Sequence, residues 1–394
     1  MKTKKTSKRI YLDYAATTPM GKAVVTSMLP YFNKKYGNSS SIHSMGSEAN
    51  LAVEKARNTM SKYLNCLPNE VYFTSSATES NNWALKGVAF ANKNKGKRII
   101  VSSIEHDCVL NSSKWLSTQG FEIVHASVNK DGIVNIDKVK KLINKETILV
   151  SVMHSNNEIG TIEPIKEIGK ICKEKGVLFH TDASQSFGKM PLDVKDLNVD
   201  LLTASSHKIY GPKGSALLYI RSGVNIEPLL HGGDHERGKR SSTVNVPAIV
   251  GFSKALEICI KEMKIEDKRL TKLRDKVIKT ILKKVPSSHL NGHPTKRLSN
   301  NINMRFDFIE GEALMMELDD KGIEVSTVSA CSSPKLESSH VLLACGIEKK
   351  EAQGTVRITL GRYTTEKDIS YLLDVLPKAV KKLRAISPMN LKNC

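Results

Sequence analysis

Seven short apolar runs constrain this chain more than any other feature of its sequence. Between about residue 70 and residue 220 they appear in succession as "EVYFTS", "RIIVSS", "EIVHASV", "TILVSVM", "VLFHTD", "VDLLTAS" and "ALLYI". Helical stretches such as "SNNWALKGVAFANK" and "IKEIGKICKEKG" separate several of them. Strands that are apolar throughout, with helices between them, indicate a mainly parallel sheet covered on both faces. The expectation is an α/β fold. In such a sheet ligands gather outside the carboxyl ends of the strands, so the residues that follow each run carry the most information.

"VYFTS" leads into "SATESNN", a Ser/Thr-rich turn opening a helix. Backbone N–H groups and the helix dipole there suit a phosphate, with Thr78 adding a hydroxyl. After "RIIVSSI" come Glu105 and His106, and after "TILVSVMHS" come Asn156 and Asn157. Asp182 and then Gln185 follow "VLFHT", while Ser205, His207 and Lys208 follow "VDLLTA". Taken singly, each has an ordinary explanation: a helix N-cap, a locally paired aspartate, a half-buried histidine, or a solvated lysine in a Gly-Pro turn. Together, on successive strands, they describe one site. A lysine that condenses with an aldehyde, an acid opposite it and a phosphate seat are what pyridoxal phosphate requires. In that reading Lys208 bonds the aldehyde carbon, Asp182 keeps the pyridine nitrogen protonated, and His106 stacks on the ring or moves protons.

Composition sets the outer limits. At 394 residues, 40% hydrophobic and 25% charged, the chain is long enough for a large core and two domains. No apolar run approaches the length of a membrane span. The basic start "MKTKKTSKR" is followed by no apolar stretch or cleavage site, so a cytoplasmic location is expected. A net charge of +20 raises the question of nucleic acid, yet the lysines are spread along the chain and aromatics are only 5%, which leaves little for base stacking. A basic surface that docks an acidic partner is expected instead, without stable nucleic-acid binding. The seven cysteines (66, 108, 172, 259, 331, 345 and 394) form no CxxC pair, which argues against a disulfide framework or a structural metal site. Most should be small core residues. Cys331 differs: "VSTVSACSSPKLESS" is polar and Ser-rich, contains a proline and lacks helical period. That reads as a flexible loop, where a thiol suits nucleophilic attack better than packing.

The ordered set of motifs resembles the cysteine desulfurases, the NifS/IscS class of fold-type I pyridoxal-phosphate enzymes in the class-V aminotransferase family, almost from end to end. "YLDYAATTPM" resembles the family's opening and "YGNSSSIHSMGSEA" its next segment. "FTSSATESNN" resembles the phosphate loop, and "HSNNEIGTIEPI", "FHTDASQSFGK" and "SSHKIYGPKG" the cofactor contacts. "HGGDHERGKRSSTVNV" resembles a segment that reaches the partner subunit's cofactor, "SACSS" the catalytic-cysteine loop, and "TVRITLGRYTTEKDI" the C-terminal signature. By position the resemblance implies Lys208 as the cofactor lysine; Ala77, Thr78, Ser205 and His207 as phosphate contacts; and Thr243 as a phosphate contact lent to a neighbouring subunit, hence a homodimer. It further implies Asp182 at the pyridine nitrogen, Gln185 at the ring hydroxyl, and His106, Asn157 and Arg357 around ring and substrate. A planar guanidinium suits the substrate carboxylate, although Arg357 alternates with apolar residues in "TVRITL" as a solvated strand face would.

The activity so implied takes sulfur from L-cysteine, releases L-alanine and leaves a persulfide on Cys331. An iron–sulfur scaffold protein is the expected acceptor, with tRNA-thiolation proteins next. No resident metal is implied, although Cys331 could ligate an iron–sulfur cluster transiently during transfer. The alternatives are a selenocysteine lyase, another class-V lyase or aminotransferase without need of Cys331, and a basic scaffolding protein with a degenerate fold. A large domain of about residues 15–260 is expected to hold Lys208. A smaller α+β domain, 1–14 plus 261–394, is entered through "EDKRLTKLRDKVIKTILKKV" and carries Cys331 and Arg357. Four departures stand out: Ser76, Ser206 and Ser242 occupy positions where relatives have small residues, often glycine, and Val328 replaces a glycine before Cys331, with Pro334 following. A β-branched Val328 resists positive φ and is expected to slow sulfur delivery.

Overall fold

The computed structural model describes residues 9–327 and 338–387. After β1 (Ile10–Tyr11), each apolar run forms a strand: β2 (Val71–Thr74), β3 (Arg98–Ser102), β4 (Glu122–Ala126), β5 (Thr147–Ser151), β6 (Leu178–Asp182), β7 (Leu201–Ser205) and β8 (Ala216–Ile220). They make one seven-stranded sheet in the order β2-β8-β7-β6-β5-β3-β4. Pairing is parallel from β7 through β6, β5 and β3 to β4, whereas β8 runs antiparallel to both neighbours. The sheet is thus mainly parallel, as the runs imply. Every residue of β2, β5, β7 and β8 is buried, which is why these strands read as continuous apolar segments without alternation.

Two apolar layers cover the sheet. Phe179, Phe187 and Phe252 belong to one, and Trp83, Leu85 and Leu218 to the other. Beyond the sheet follow β9 (Ser288–Leu290), β10 (Asn301–Phe306), β11 (Ile323–Glu324) and β12 (Thr355–Thr359). A three-stranded antiparallel sheet, β12-β10-β9, forms there, and β11 pairs in parallel with β1. Its own core gathers Ile302, Met304, Phe306 and Ile358 with the helix Glu366–Ile386. That helix starts in a reciprocal capping box between Thr365 and Asp368, two orphan backbone groups satisfied at once.

One helix, Val246–Lys284, serves both cores. Its 39 residues span about 58 Å at 1.5 Å per residue. Ile249, Phe252 and Leu256 pack under the large sheet, while Leu273, Val277 and Ile281 pack in the small core. The helix runs unbroken through residues 260 and 261.

Phe252 is fully buried and lies 5.7 Å from the Phe187 ring centroid. Truncation there removes apolar contact and leaves a cavity, so Phe252→Ala should cost about 3–5 kcal/mol. Urea melts read by far-UV circular dichroism test this; a loss below about 1 kcal/mol would mean the helix is held by something other than this contact.

Candidate active site

All the carboxyl ends of the parallel strands point one way, and there a cavity of about 510 Å³ opens. Ala77, Thr78, His106, Asn157 and Asp182 line it, as do Gln185, Ser205, His207, Lys208 and Arg357. The structure therefore brings these sequence-selected residues together. Thr243 is not among them. It is exposed and lines a neighbouring cavity of about 220 Å³ with Glu236 and Arg240, and the two cavities share Ser75, Gly214 and Ser215 as walls. Cys331, Val328 and Pro334 lie outside the described residues.

Lys208 ends the single 3₁₀ turn Ser206–Lys208 that follows β7. Its ammonium donates to the carbonyls of Ala15 and Ala16, at 2.6 and 2.7 Å. Gln185 donates to the same Ala15 carbonyl at 3.1 Å. The His207 ring faces Thr17, with Nδ1 3.1 Å from the hydroxyl. Burial, reinforced by the charges of Lys208, Lys213 and Lys189, pulls His207 down to about 4, so the ring is neutral at physiological pH.

Asp182, at the end of β6, is held from two sides. The Ser184 amide donates to one carboxylate oxygen at 2.8 Å and the Asn81 amide to the other at 2.6 Å. Asn81 also donates to Cys108 Sγ at 3.2 Å, and Cys108 Sγ lies 3.1 Å from His106 Nδ1. His106 is itself the N-cap of the helix Asp107–Thr118, with Nδ1 accepting the Cys108 amide at 3.2 Å. With Nδ1 engaged as an acceptor, the ring proton sits on Nε2. Burial, with the Asp182 charge second, pushes the Cys108 thiol up to about 12, so it acts here as a neutral hydrogen-bonding group.

At the other end of the cavity the helix Ala77–Asn92 begins, capped by Ser76, whose hydroxyl accepts the Glu79 amide at 3.1 Å. Glu79 receives Arg240 at 2.7 and 3.1 Å, the Ser75 amide at 2.8 Å and the Ser75 hydroxyl. Burial opposes its charge, but the Arg240 and Ser75 hydrogen bonds win and hold it below its ordinary value. The three serine departures are accounted for individually. Ser76 is the cap; Ser206 is fully buried with its hydroxyl packed against Gly211; Ser242 takes φ 157°, at the edge of the region that favours glycine.

Arg357 comes from β12, in the small sheet, yet is 4% exposed. It is no solvated strand face. Its guanidinium donates to Asp13 at 2.8 Å and to the Asn157 carbonyl at 3.1 Å, and its Nε has no partner among the described residues. Next to Asn157, Glu158 accepts the Ser339 hydroxyl, and its carbonyl receives Asn301 and Asn303, each at 3.1 Å. Sequence reasoning assigned no role to Asp13, Ala15, Ala16, Asn81 or Cys108. The first three lie in "YLDYAATTPM", and Asn81 stands three residues from Thr78 on one helix face, a spacing that marks neighbours.

A family model for class-V aminotransferases matches residues 10–372. A cysteine desulfurase IscS of Methanosarcina thermophila is 52% identical over 386 residues, 98% of this chain and 95% of that one. The chain belongs to the cysteine desulfurases of the class-V aminotransferase family. Among solved structures, a NifS-like protein superposes with TM-score 0.90 at 40% identity, covering 95% of this chain and 100% of its own. Another, titled SspA in complex with cysteine, gives 0.80 at 35% identity over 90% and 100%.

The enzymes of this family use pyridoxal phosphate, and the cavity fits it. The hydroxyls of Ser155, Ser184 and Ser215 and Oδ1 of Asn157 line the cavity and lack partners among the described residues, as groups meant for a polar ligand would. A helix N-terminus suits the phosphate, Asp182 the pyridine nitrogen and Lys208 the aldehyde. Among the described residues no cluster of three metal-ligating side chains occurs, and no helix is long and apolar enough to cross a membrane.

Burial pushes Glu158 up to about 7 despite the Ser339 hydrogen bond and the Arg357 charge. A raised carboxyl value means the folded state holds its proton longer than the unfolded chain. The associated stability is fully present below the ordinary value of 4.5 and is lost as pH rises through about 7. Glu158→Gln should therefore flatten the decline in stability between these limits relative to wild type, read by urea melts across that range. Equal slopes in both proteins would remove Glu158 as the titrating group.

Proposed function

We propose that this enzyme takes the sulfur of L-cysteine as a persulfide on Cys331, releases L-alanine, and hands the sulfur to an iron–sulfur scaffold protein or a tRNA-thiolation protein. The observation that carries this reading is the convergence of Lys208, Asp182 and Arg357 on one cavity from two different sheets. When bound, pyridoxal phosphate supplies the electron sink that lets the substrate lose its α-proton. The chain's own residues do the rest. Lys208 Nζ would hold the aldehyde carbon and, once free of it, would accept the substrate α-proton. Asp182, fixed by Asn81 and Ser184, holds the proton on the pyridine nitrogen. His106, with its proton on Nε2, would face the cofactor ring from the cavity wall. Arg357 would offer its Nε, which has no partner among the described residues, and a neighbouring amino group to the substrate carboxylate, exchanging its contact with Asp13 for a bidentate one.

Two anchors support the role of Cys331. Ser326 and Arg357 exchange backbone hydrogen bonds at 2.8 and 3.1 Å, and Ser339 is tied to Glu158 beside Asn157. Cys331 stands five residues beyond Ser326, the backbone partner of the cavity-lining Arg357, a reach of at most about 18 Å. Oligomer and location belong to the same proposal. Leu29, Phe32, Tyr36, Ile42 and Leu51 are exposed within one stretch of chain, apolar surface that a second subunit covers. Thr243 is exposed beside the cofactor cavity of its own chain and free to serve the partner's. We assign a homodimer in the cytoplasm, with a large domain of residues 15–260 and a small one of 1–14 plus 261–394.

Paired release of alanine and sulfide from L-cysteine, with reductant, tests the reading. Cys331→Ala should keep the yellow colour of the bound cofactor and lose both products. Arg357→Lys should raise the KM for L-cysteine about 10- to 100-fold, the worth of one lost charge-assisted hydrogen bond. A yellow Cys331→Ala protein as active as wild type would sink the persulfide step and favour a lyase.

A further inference from the structure

The turn that carries Lys208 does not satisfy all of its own amides. The Ser206 carbonyl accepts the Ile209 amide at 3.1 Å and the Gly211 amide at 3.2 Å. The Tyr210 amide, between them, donates instead to the Thr18 hydroxyl at 2.8 Å. Tyr210 is left-handed, with φ 66°. A bulky side chain in that region is an outlier, and such residues persist where the surrounding structure over-determines them. Here the Tyr210 carbonyl accepts the Gly21 amide at 3.0 Å and its hydroxyl accepts the Arg362 amide at 2.7 Å. The Arg362 guanidinium lies over its ring, 4.2 Å from the centroid.

The Thr18 hydroxyl has a second partner. It donates to the His207 carbonyl at 2.8 Å, and the Thr18 amide donates to the same carbonyl at 3.0 Å. One side chain therefore ties the residue before Lys208 to the residue two beyond it. Thr18 is 7% exposed, so water replaces its hydroxyl poorly. The residues just before Thr18 hold the other end of the same lysine. Ala15 and Ala16 receive its ammonium, and the Thr17 hydroxyl lies 3.1 Å from His207 Nδ1. Residues 15–18 thus hold Lys208 at its head and at its root, and the two holds respond differently to chemistry. An ammonium has three N–H donors, whereas a nitrogen bonded to an aldehyde carbon has at most one, which cannot serve Ala15 and Ala16 separately. The Thr18 bonds go to backbone groups and survive that change.

We propose that Thr18 is a positioning residue for Lys208: its hydroxyl, bridging the His207 carbonyl and the Tyr210 amide, keeps the lysine in register with residues 15–18 when its amine has left the Ala15 and Ala16 carbonyls, and so sets the approach of that amine to the substrate α-proton. Valine has nearly the shape of threonine without the hydroxyl. Thr18→Val leaves the Tyr210 amide without its acceptor, at the left-handed residue where that bond helps to hold the turn. Proton transfer depends on such register, since displacement of about 1 Å can cost a hundredfold in rate. Binding of the substrate carboxylate does not, because Arg357 is held by Asp13 and the Asn157 carbonyl, to neither of which Thr18 is bonded. The loss should therefore fall on rate and spare affinity.

The inference rests on the reading that Lys208 carries the cofactor and takes the α-proton, and the experiment separates the two. Borohydride reduction followed by peptide mapping should leave the cofactor on Lys208 in wild type and in every Thr18 variant. Exchange of the α-proton of L-alanine with D2O, followed by proton NMR on the holoenzyme, should occur in wild type and be lost in Lys208→Ala. Label on another residue, no exchange in wild type, or exchange that survives Lys208→Ala would overturn the reading itself. With that reading intact, Thr18→Val and Thr18→Ala should lower the saturated exchange rate about 10- to 100-fold, with the half-saturating L-alanine concentration unchanged. Thr18→Ser, which keeps the hydroxyl, should exchange at nearly the wild-type rate. Two hydroxyl-free variants ensure that one poorly folding protein does not decide the matter. A merely structural role would lower their urea midpoints and leave exchange by the folded holoenzyme at the wild-type rate; that result would overturn the role of Thr18 alone, as would an equal loss in Thr18→Ser.

Discussion

Two backbone carbonyls, those of Ala15 and Ala16, receive the Lys208 ammonium, and the geometry of the site is measured from them. Withdrawing an ammonium from water is unfavourable unless its donors are matched, and charge-assisted hydrogen bonds of roughly 1.5–3 kcal/mol each offset that cost. The segment bearing the carbonyls is fixed on both sides. Thr359 donates its amide to Leu12 at 2.7 Å, and its hydroxyl accepts the Ala15 amide at 2.9 Å. Farther on, the Thr18 amide and hydroxyl both donate to the His207 carbonyl, at 3.0 and 2.8 Å. Since Thr359 and Arg357 share β12, one short segment sets the separation of Arg357 from Lys208.

Burial then decides which groups in this region carry charge. It pulls His154 and His180 down to about 4 and pushes Glu105 up to about 8. These groups are near neutral when the enzyme works, and they serve as hydrogen-bonding structure: Glu105 accepts the Met153 amide at 2.6 Å and the Ser102 hydroxyl at 2.5 Å. Among the residues that line the cavity, Asp182, Lys208, Lys213 and Arg357 are the ionic ones. In a dry site each such charge acts more strongly on a ligand than it would in water.

The strands were legible because burial on both faces suppresses alternation, and the polar residues after them were legible because strand ends are where a sheet runs out of apolar cover. Even the reversed direction of β8 had a signal. The connection from Ser205 to Ala216 is too short for a crossover helix, which an antiparallel neighbour does not need. Asp13 was another matter. Its partner Arg357 is 344 residues away, and no local period or spacing records such a pairing. Arg357 misled through its pattern, because polar–apolar alternation in a strand cannot distinguish a face toward water from a face toward a cavity.

The division of labour between two sheets imposes a last constraint. Lys208 follows β7 of the large sheet and Arg357 lies in β12 of the small one, so any hinge between them would separate two residues that the proposed reaction needs together. Reacting groups tolerate little such error, since displacement of about 1 Å can cost a hundredfold in rate. Side chain to backbone bonds close the gap directly: Asn301 and Asn303 of β10 hold the Glu158 carbonyl, and Arg297 holds the Ile159 carbonyl at 2.8 Å. The loop after β5, which carries Asn157, is thereby locked to the sheet that carries Arg357. The helix Val246–Lys284 locks the same pair of cores from behind.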